Sequence, residues 1–160
     1  DDAMAELLAH AQPLLPAEPV STFAADGRVL AQDVVSGLQV PAVDNSSMDG
    51  YAVRCADVAT AGVVLPVSQR IAAGMDGAPL LPGTAARIFT GAPVPAGADA
   101  IVMQEDCVAV EGGAVRINAV PPTGQWIRRA GEDVRLGASV LQAGMRLTPG
   151  ALGLAASGLI

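Results

Sequence analysis

Three short polar clusters stand out from a mostly apolar chain, and each lies at the end of a predicted strand. They are Asp44–Gly50, Thr90–Pro93 and Arg128–Asp133. In Asp44–Gly50 the short side chains can hydrogen-bond to their own backbone, and exposed N–H groups in such turns form concavities that bind anions. The alternative is a structural turn that only leads the chain into the next strand. Composition leaves both interpretations open.

The second cluster follows the predicted strand Ala86–Phe89. Thr90 and Gly91 place a hydroxyl group and a free backbone N–H where the chain leaves the sheet, which is a common position for contacts to phosphate or another oxyanion. A Thr-Gly pair also occurs in ordinary turns. The motif by itself is therefore a weak indication of binding.

The third cluster combines opposite charges within eight residues. Arg128, Arg129 and Arg135 accompany the carboxylates of Glu132 and Asp133. Such a mixture forms either a salt-bridged surface loop, which contributes little to stability, or a site where carboxylate oxygens hold a divalent cation and arginines hold a phosphate. The residue types do not decide between the two.

Length and composition exclude several classes of protein. A chain of 160 residues is long enough for about one domain, with room for two small ones. Its apolar fraction of 51% and charged fraction of 16% exclude intrinsic disorder. The 18 glycines and 12 prolines are spread between short apolar runs, so many turns and short strands are expected rather than a helical bundle.

The charge balance limits the partners. A net charge of −7 argues against a surface for nucleic acid or an anionic membrane. The two Phe, one Tyr and one Trp are too few to form a stacking platform for bases. All nine basic residues are arginine, and arginine holds planar oxyanions in a fixed fork. We therefore expect a small-molecule ligand, no nucleic acid and no membrane partner.

The cysteines and the single histidine carry no recognisable chemistry. Cys55 and Cys107 lie far apart and His10 is alone, so no metal-ligand spacing and no Cys-His nucleophile can be written. Both cysteines are predicted to be reduced core residues. The chain shows no signal-peptide pattern and no apolar run of the roughly 18 residues that a membrane span needs. A cytoplasmic location is expected.

The apolar pattern predicts strands in the middle and helices at the ends. A helix is predicted over residues 1–12, ended by Pro13, and a second over Pro149–Gly158. A strand through Val34, Val35 and Val40 stops at Pro41, and hairpin turns are predicted at residues 111–113 and 142–144. An all-β segment is predicted from six short runs: Tyr51–Val53, Val63–Val67, Ala86–Phe89, Ala100–Met103, Val108–Val110 and Val115–Ile117.

A longer motif around the first cluster resembles a known signature. Residues 41–54 read PAVDNSSMDGYAVR, which closely resembles the P-x-F/V-D-N-S-A/S-M-D-G-Y-A-V signature of the MoeA/gephyrin family of molybdenum-insertion enzymes. Four further matches follow the order of that family: GRVLA at 27–31, IFTGAPVPAGADAIV at 88–102, IRRAGED at 127–133 and AASG at 155–158. The resemblance covers nearly the whole chain.

The resemblance implies an enzymatic activity and a set of site residues. Members of this family insert molybdenum from molybdate into adenylylated molybdopterin and release AMP in a step that depends on a divalent metal, with Mg²⁺ expected. The matching positions imply that Asp49, Thr90 and Asp133 are catalytic. In this interpretation Asp49 and Asp133 hold the metal or order water, and Thr90 donates a hydrogen bond to an oxyanion of the ligand. The residues expected to contact the ligand are Ser46, Ser47, Gly91, Arg128 and Arg129.

The resemblance also implies a fold. We expect a mainly β protein with a few helices, in which irregular, coiled and bifurcated β-sheets form two lobes. An N-terminal helix at 1–13 precedes a discontinuous first lobe, built from 14–43 and 122–160, and an inserted β lobe at 44–121. These boundaries agree with the breaks at Pro41 and at Pro121 and Pro122.

The last residues suggest that more of the protein follows. The chain stops at an apolar Leu159-Ile160 pair directly after the predicted helix. We therefore expect a piece of a longer protein, without the pterin-binding α/β domain and the final β domain of the family. Such a piece is expected to be inactive alone, and its site residues would complete a site shared with the second subunit of a homodimer.

Two other functions stay open at this point. Gephyrin-like relatives act as non-catalytic scaffolds that cluster receptors at membranes, and a plain β-barrel binding module could carry the same motifs as structural turns. An enzyme would lose cofactor synthesis on mutation of Asp49 or Thr90 with its fold intact. Structural turns would lose stability instead.

Overall fold

A computed structural model describes residues 2–11 and 16–157 of the chain, and that part contains ten strands and two α-helices. The chain divides into two compact units. The first unit joins Asp1–Val35 to Ser139–Ile160, and the second is continuous from Ser36 to Ala138. The described residues also contain three short 3₁₀-helices: Thr22–Ala24 in the first unit, and Cys55–Asp57 and Gln104–Asp106 in the second.

The first unit is small and contains both α-helices. These are α1 (Asp2–Ala9) and α2 (Pro149–Ala156). Helix α2 begins where the sequence predicts, because Pro149 suits the first turn and the Thr148 hydroxyl accepts a 3.3 Å hydrogen bond from the N–H of Ala151. Its predicted end, Gly158, lies outside the described residues.

An antiparallel ladder of β1 (Val34–Val35) and β10 (Ser139–Leu141) completes the first unit. Its core consists of Ala25, Leu141 and Leu147, and residues of α2 pack against it. The strand predicted as far as Val40 is therefore shorter than expected.

The hairpin predicted at 142–144 is wrong, although the turn itself is present. Strand β10 pairs with β1, whereas Arg146 forms an antiparallel bridge with Val29. The turn therefore connects two segments that pair with different partners. Local turn chemistry predicts the bend but not which segments hydrogen-bond.

The second unit carries a six-stranded sheet in the order β6-β3-β5-β4-β8-β7. Strands β4 and β5 are parallel, and the other neighbours are antiparallel. A separate antiparallel ladder joins β2 to β9. The eight strands are β2 (Asn45–Ser46), β3 (Gly50–Val53), β4 (Val63–Ile71), β5 (Ala85–Ile88), β6 (Ala100–Met103), β7 (Cys107–Val110), β8 (Ala114–Ile117) and β9 (Ile127–Arg128).

Each face of the six-stranded sheet carries a buried apolar cluster, because successive side chains along a strand point to opposite faces. One face buries Val53, Val115 and Ile117, and the other buries Ile71 and Ile101, each with further neighbours. Each of the six runs predicted as strands between Tyr51 and Ile117 overlaps a strand, although β5 ends at Ile88 rather than Phe89 and β4 continues to Ile71. The predicted hairpin between β7 and β8 is also confirmed.

Proline in the central strand β4 has a specific explanation. Pro66 faces Ala114 of β8, whereas pairing with β5 begins only at Val67. At Pro66 one side of β4 is therefore free of a neighbouring strand, which is where a residue without an N–H is tolerated.

The predicted fold class, mainly β with a few helices, is confirmed. The two units seen here divide at Val35/Ser36 and at Ala138/Ser139. The predicted lobe boundaries at 43/44 and 121/122 stay a prediction. Among the helices of residues 2–11 and 16–157, none is both long and apolar enough to cross a membrane.

Candidate functional site

The register of β3 and β5 brings two of the predicted catalytic residues together. Gly50 pairs with Ile88, so Asp49, directly before β3, lies beside the residues that follow β5. The Oδ1 atom of Asp49 accepts hydrogen bonds from the N–H of Thr90 at 2.8 Å and from the Thr90 hydroxyl at 2.7 Å. Residues 41 positions apart thus form one hydrogen-bonded pair.

These hydrogen bonds stabilise the ionised form of Asp49. The pKa of Asp49 lies below its ordinary 3.8. The hydrogen bond from the N–H of Thr90 lowers this pKa most, the one from the Thr90 hydroxyl second, and the positive charge of Arg87 least. Within the described part of the chain, no group donates to the other carboxylate oxygen, Oδ2. Asp49 is half-buried and Thr90 exposed, so this oxygen is available to a ligand.

Replacing Thr90 by valine is expected to raise the pKa of Asp49 towards 3.8, because the hydroxyl donor is lost while the backbone donor remains. The carboxyl carbon resonance of Asp49, followed by NMR during a pH titration, measures the shift. Thr84→Val is the matched control, since the Thr84 hydroxyl donates to the carbonyl of Leu81 and not to a carboxylate. An unchanged pKa in Thr90→Val would show that the hydroxyl does not stabilise the ionised form.

The third predicted catalytic residue belongs to a different pair. Asp133 is exposed, and its Oδ2 accepts a 2.6 Å hydrogen bond from Nη2 of Arg128 in β9. This bond is the main cause that raises the pKa of Arg128 above its ordinary value. Glu132 adds a longer contact of 3.8 Å to the same guanidinium. Arg128 therefore holds Asp133 in place.

Arg129 is anchored by a residue outside the predicted site set. Its Nη1 donates to Oδ2 of Asp44 at 2.6 Å, and the N–H of Ala130 donates to Oδ1 of Asp44 at 2.8 Å. The Ala130 N–H is the largest cause that lowers the pKa of Asp44, against a smaller rise from burial, and Arg129 lowers it further. Asp44 joins the first polar cluster to the third, which their separation in sequence does not reveal.

Ser46, Ser47 and Gly91 direct their polar groups into the protein. Ser46, only 1% exposed, donates its hydroxyl to the carbonyl of Met48. The Ser47 hydroxyl donates to the carbonyl of Trp126 at 2.9 Å. The N–H of Gly91 donates to the carbonyl of Ser46 at 2.8 Å. These groups stabilise the loop that carries Asp49, and their direct contact with a ligand stays a prediction.

One detail of the sequence interpretation is wrong. The backbone N–H groups of Thr90 and Gly91 are not free, because the first donates to Asp49 and the second to Ser46. The Thr90 hydroxyl also donates its proton to Asp49. Donation from Thr90 to an oxyanion would break that bond, so this geometry favours Thr90 as the residue that positions Asp49.

Comparison with known proteins identifies the family. The family model described as the MoeA N-terminal region (domain I and II) matches residues 1–158. This chain belongs to that family. As a MoeA N-terminal region, it is 47% identical over 96% of its length to molybdopterin molybdenumtransferase 2 of Mycobacterium tuberculosis and 46% identical over 92% to the molybdopterin molybdenumtransferase of Synechococcus elongatus.

The MoeA N-terminal region spans 38% of the length of each of these two relatives. A crystal structure of the molybdopterin biosynthesis MoeA protein from Pyrococcus horikoshii has the same fold. It superposes with a TM-score of 0.79 at 33% identity, over 88% of this chain and 37% of that one. The match agrees with the mainly β architecture described above.

The donor set of this MoeA N-terminal region does not by itself fit a metal site. In residues 2–11 and 16–157 there is no group of three or more His, Cys, Asp or Glu side chains that could hold a metal ion. One oxygen of Asp49 is occupied by Thr90, and one of Asp133 by Arg128. Mg²⁺ usually takes one or two carboxylates and completes its shell with water and substrate phosphates. The predicted metal ligands therefore stay a prediction.

The two cysteines are unpaired, as predicted, but only half-buried. Burial is the main cause that raises the pKa of Cys107 to about 11 and also raises the pKa of Cys55. Burial therefore disfavours the thiolate form of both side chains, which is the form that acts as a nucleophile.

Trp126 contributes to the candidate site through its backbone, and no motif in the sequence points to it. It has a φ of 57°, a conformation that non-glycine residues rarely adopt, and its carbonyl accepts both the N–H and the hydroxyl of Ser47. No sequence signal predicts a positive φ at a tryptophan. Its position next to β9 links the loop of Asp49 to the Arg128 segment.

Proposed function

We propose that this chain forms the N-terminal part of a molybdopterin molybdenumtransferase, which inserts molybdenum from molybdate into adenylylated molybdopterin and releases AMP. The observation that carries this proposal is the carboxylate of Asp49. Thr90 donates two hydrogen bonds to its Oδ1 and lowers its pKa, while its Oδ2 accepts no hydrogen bond in the described residues. The family membership and the two transferase relatives support it. The substrates are small molecules, in agreement with the transferase names of the two relatives.

In this proposal the residues of the chain bind and orient rather than form covalent bonds. The open oxygen of Asp49 accepts a proton-bearing group, such as an ordered water molecule or a protonated substrate atom. Thr90 positions Asp49 through its two hydrogen bonds. Arg128 uses one N–H on Asp133 and has Glu132 at 3.8 Å, and its remaining N–H groups suit a substrate phosphate or molybdate oxygen.

Magnesium and the second subunit belong to the same proposal. Since the described part of this chain supplies no complete donor set, we assign no step to Mg²⁺. A homodimer is part of this proposal: Met4, Leu7 and Leu8 of α1 are 62%, 69% and 66% exposed, an apolar row open to a second copy or to the remaining length of the protein. The expected cytoplasmic location stays a prediction.

A chimeric enzyme tests the proposed function. This chain would replace the matching N-terminal region of the Synechococcus elongatus relative, and the chimera is expected to restore molybdoenzyme activity in a bacterial strain that lacks its own transferase. The 160-residue chain alone is expected to restore none and to release no AMP in vitro, because it spans 38% of that relative.

The unmodified relative serves as the positive control in the same strain. A chimera that accumulates as a folded protein yet leaves the strain without activity would argue against the transferase function. Restoration by the chain alone would show that the missing length is not needed.

A further inference from the structure

Two arginines and one aromatic ring share a face of the six-stranded sheet. In the parallel register of β4 and β5, Arg70 lies directly opposite Arg87, and Phe89 follows Arg87 two residues later on the same side. The guanidinium of Arg70 lies 4.6 Å from the centre of the Phe89 ring, and that of Arg87 lies 4.7 Å from the same centre. Arg87 is also 5.2 Å from the ring of Tyr51.

Neither of the two charges touches a carboxylate in the described part of the chain, although the more distant carboxylate of Asp49 is influenced by the charge of Arg87. Within residues 2–11 and 16–157, neither Arg70 nor Arg87 forms an ion pair, although acidic residues outnumber basic ones by 16 to 9. Like charges directly opposite each other on neighbouring strands are destabilising. Stacking on Phe89 compensates part of this repulsion. An external anion would compensate the rest.

The stack leaves hydrogen-bond donors available. Arg87 donates to the carbonyl of Gly50 at 3.1 Å and to Oε1 of Gln104 at 2.7 Å, which uses two of its five N–H groups. Arg70 donates to no group in the described residues. Because the aromatic ring covers the guanidinium faces, their edges are held in fixed directions, and the edges are what bind oxyanions.

These side chains line an open cavity of about 620 Å³ in the second unit. Its other walls include Tyr51, Val67 and Ala109, so one part of the cavity is cationic and another apolar. The volume lies in the range of small-molecule sites, which are mostly apolar with a few placed polar groups. The cavity thus offers a cationic wall to an anionic head and an apolar wall to an organic body.

We propose that this cavity binds the phosphate group of a small organic molecule through Arg70 and Arg87, with the organic part against the apolar wall. The proposal depends on the proposed function only for the identity of the natural ligand. That ligand would be adenylylated molybdopterin, which is an organic phosphate. The cavity residue Phe89 directly precedes Thr90, and the charge of Arg87 lowers the pKa of Asp49, although neither Asp49 nor Thr90 lines the cavity.

Direct binding to the 160-residue chain tests the proposal, with AMP as the probe and adenosine as its phosphate-free counterpart. Isothermal titration calorimetry at low salt is expected to show binding of AMP and none of adenosine. Arg70→Gln is expected to raise the Kd for AMP by roughly tenfold, the usual size of one lost charge-assisted hydrogen bond. Since Arg70 is exposed and donates to no group in the described part of the protein, this variant keeps the fold.

Arg116→Gln is the matched control. Arg116 is exposed, lies on β8 of the same sheet and does not line the cavity, but its loss changes the net charge equally. It is expected to change the Kd by less than about twofold. Arg87→Gln is expected to weaken the binding of AMP as much as Arg70→Gln does. The melting temperature of each variant shows whether its fold is kept.

Three results would overturn the proposal: no detectable AMP binding by the unmodified chain, equal binding of adenosine and AMP, or equal weakening by Arg70→Gln and Arg116→Gln. The assay does not involve molybdenum insertion. Failure of the chimera to restore activity therefore leaves the result intact, and failure of AMP binding leaves the transferase proposal intact.

Discussion

Replacement of Asp49 by alanine in the chimeric transferase is expected to abolish the restoration of molybdoenzyme activity while the protein stays folded. The substitution removes the carboxylate oxygen that accepts no hydrogen bond in the described residues and releases both donors of Thr90. Asp49 lies in a loop before β3, and its side chain packs in neither apolar core of the second unit. Loss of function would therefore reflect lost chemistry rather than unfolding.

Growth on a substrate that requires a molybdoenzyme measures the effect, and circular dichroism checks the fold. Asp133→Ala is expected to behave in the same way, because Asp133 is exposed and its side chain is held by Arg128. Asp76→Ala is the matched control, since Asp76 is exposed and makes no side-chain hydrogen bond in the described residues. Full restoration by a folded Asp49→Ala chimera would refute the catalytic assignment.

Replacement of Gly50 by alanine is expected to have the largest effect on stability. A Cβ at this position would overlap the carbonyl oxygen of Val102 and lie 2.9 Å from its carbon and 3.1 Å from Cα of Met103, all of them backbone atoms of β6. Backbone atoms cannot rotate away as a side chain would, so β3 and β6 must separate. The free energy of unfolding is expected to fall by roughly 3 kcal/mol or more.

Urea unfolding of the 160-residue chain measures this loss, and Gly37→Ala is the control. Gly37 belongs to the same unit and is exposed, and a Cβ added there would meet no heavy atom of the described residues within 4 Å. Its replacement is therefore expected to change stability by about 0.5 kcal/mol or less. Equal free energies of unfolding for the two variants would contradict this, because they would mean that β6 moves away at Val102 with no loss of stability. Gly50→Ala should also weaken function, because Asp49 directly precedes it.

Several elements could be predicted from the sequence because their causes are local. The strands between Tyr51 and Ile117 follow from runs of β-branched residues bounded by glycine and proline. The turn between β7 and β8 follows from Gly112 and Gly113, which both adopt a positive φ. The start of α2 follows from a threonine and a proline in the correct positions. Each of these signals acts within a few residues.

The sequence by itself also determined the family, since the motif from Pro41 to Arg54 is long and specific. It could not determine which strands pair, because many short apolar strands satisfy the same burial requirement with different neighbours. The parallel contact of β4 with β5, and the separate partners of the segments around residues 142–144, emerge only in the folded chain.

The same distinction applies to the candidate site. The sequence identified Asp49, Thr90 and Asp133 as single residues of three motifs. Only the tertiary structure showed that the N–H and hydroxyl of Thr90 both donate to Asp49, and that Arg128 donates to Asp133. It alone also placed Arg70 opposite Arg87. Hydrogen bonds and charge contacts between distant residues depend on strand register, and register is a property of the whole sheet rather than of any local segment.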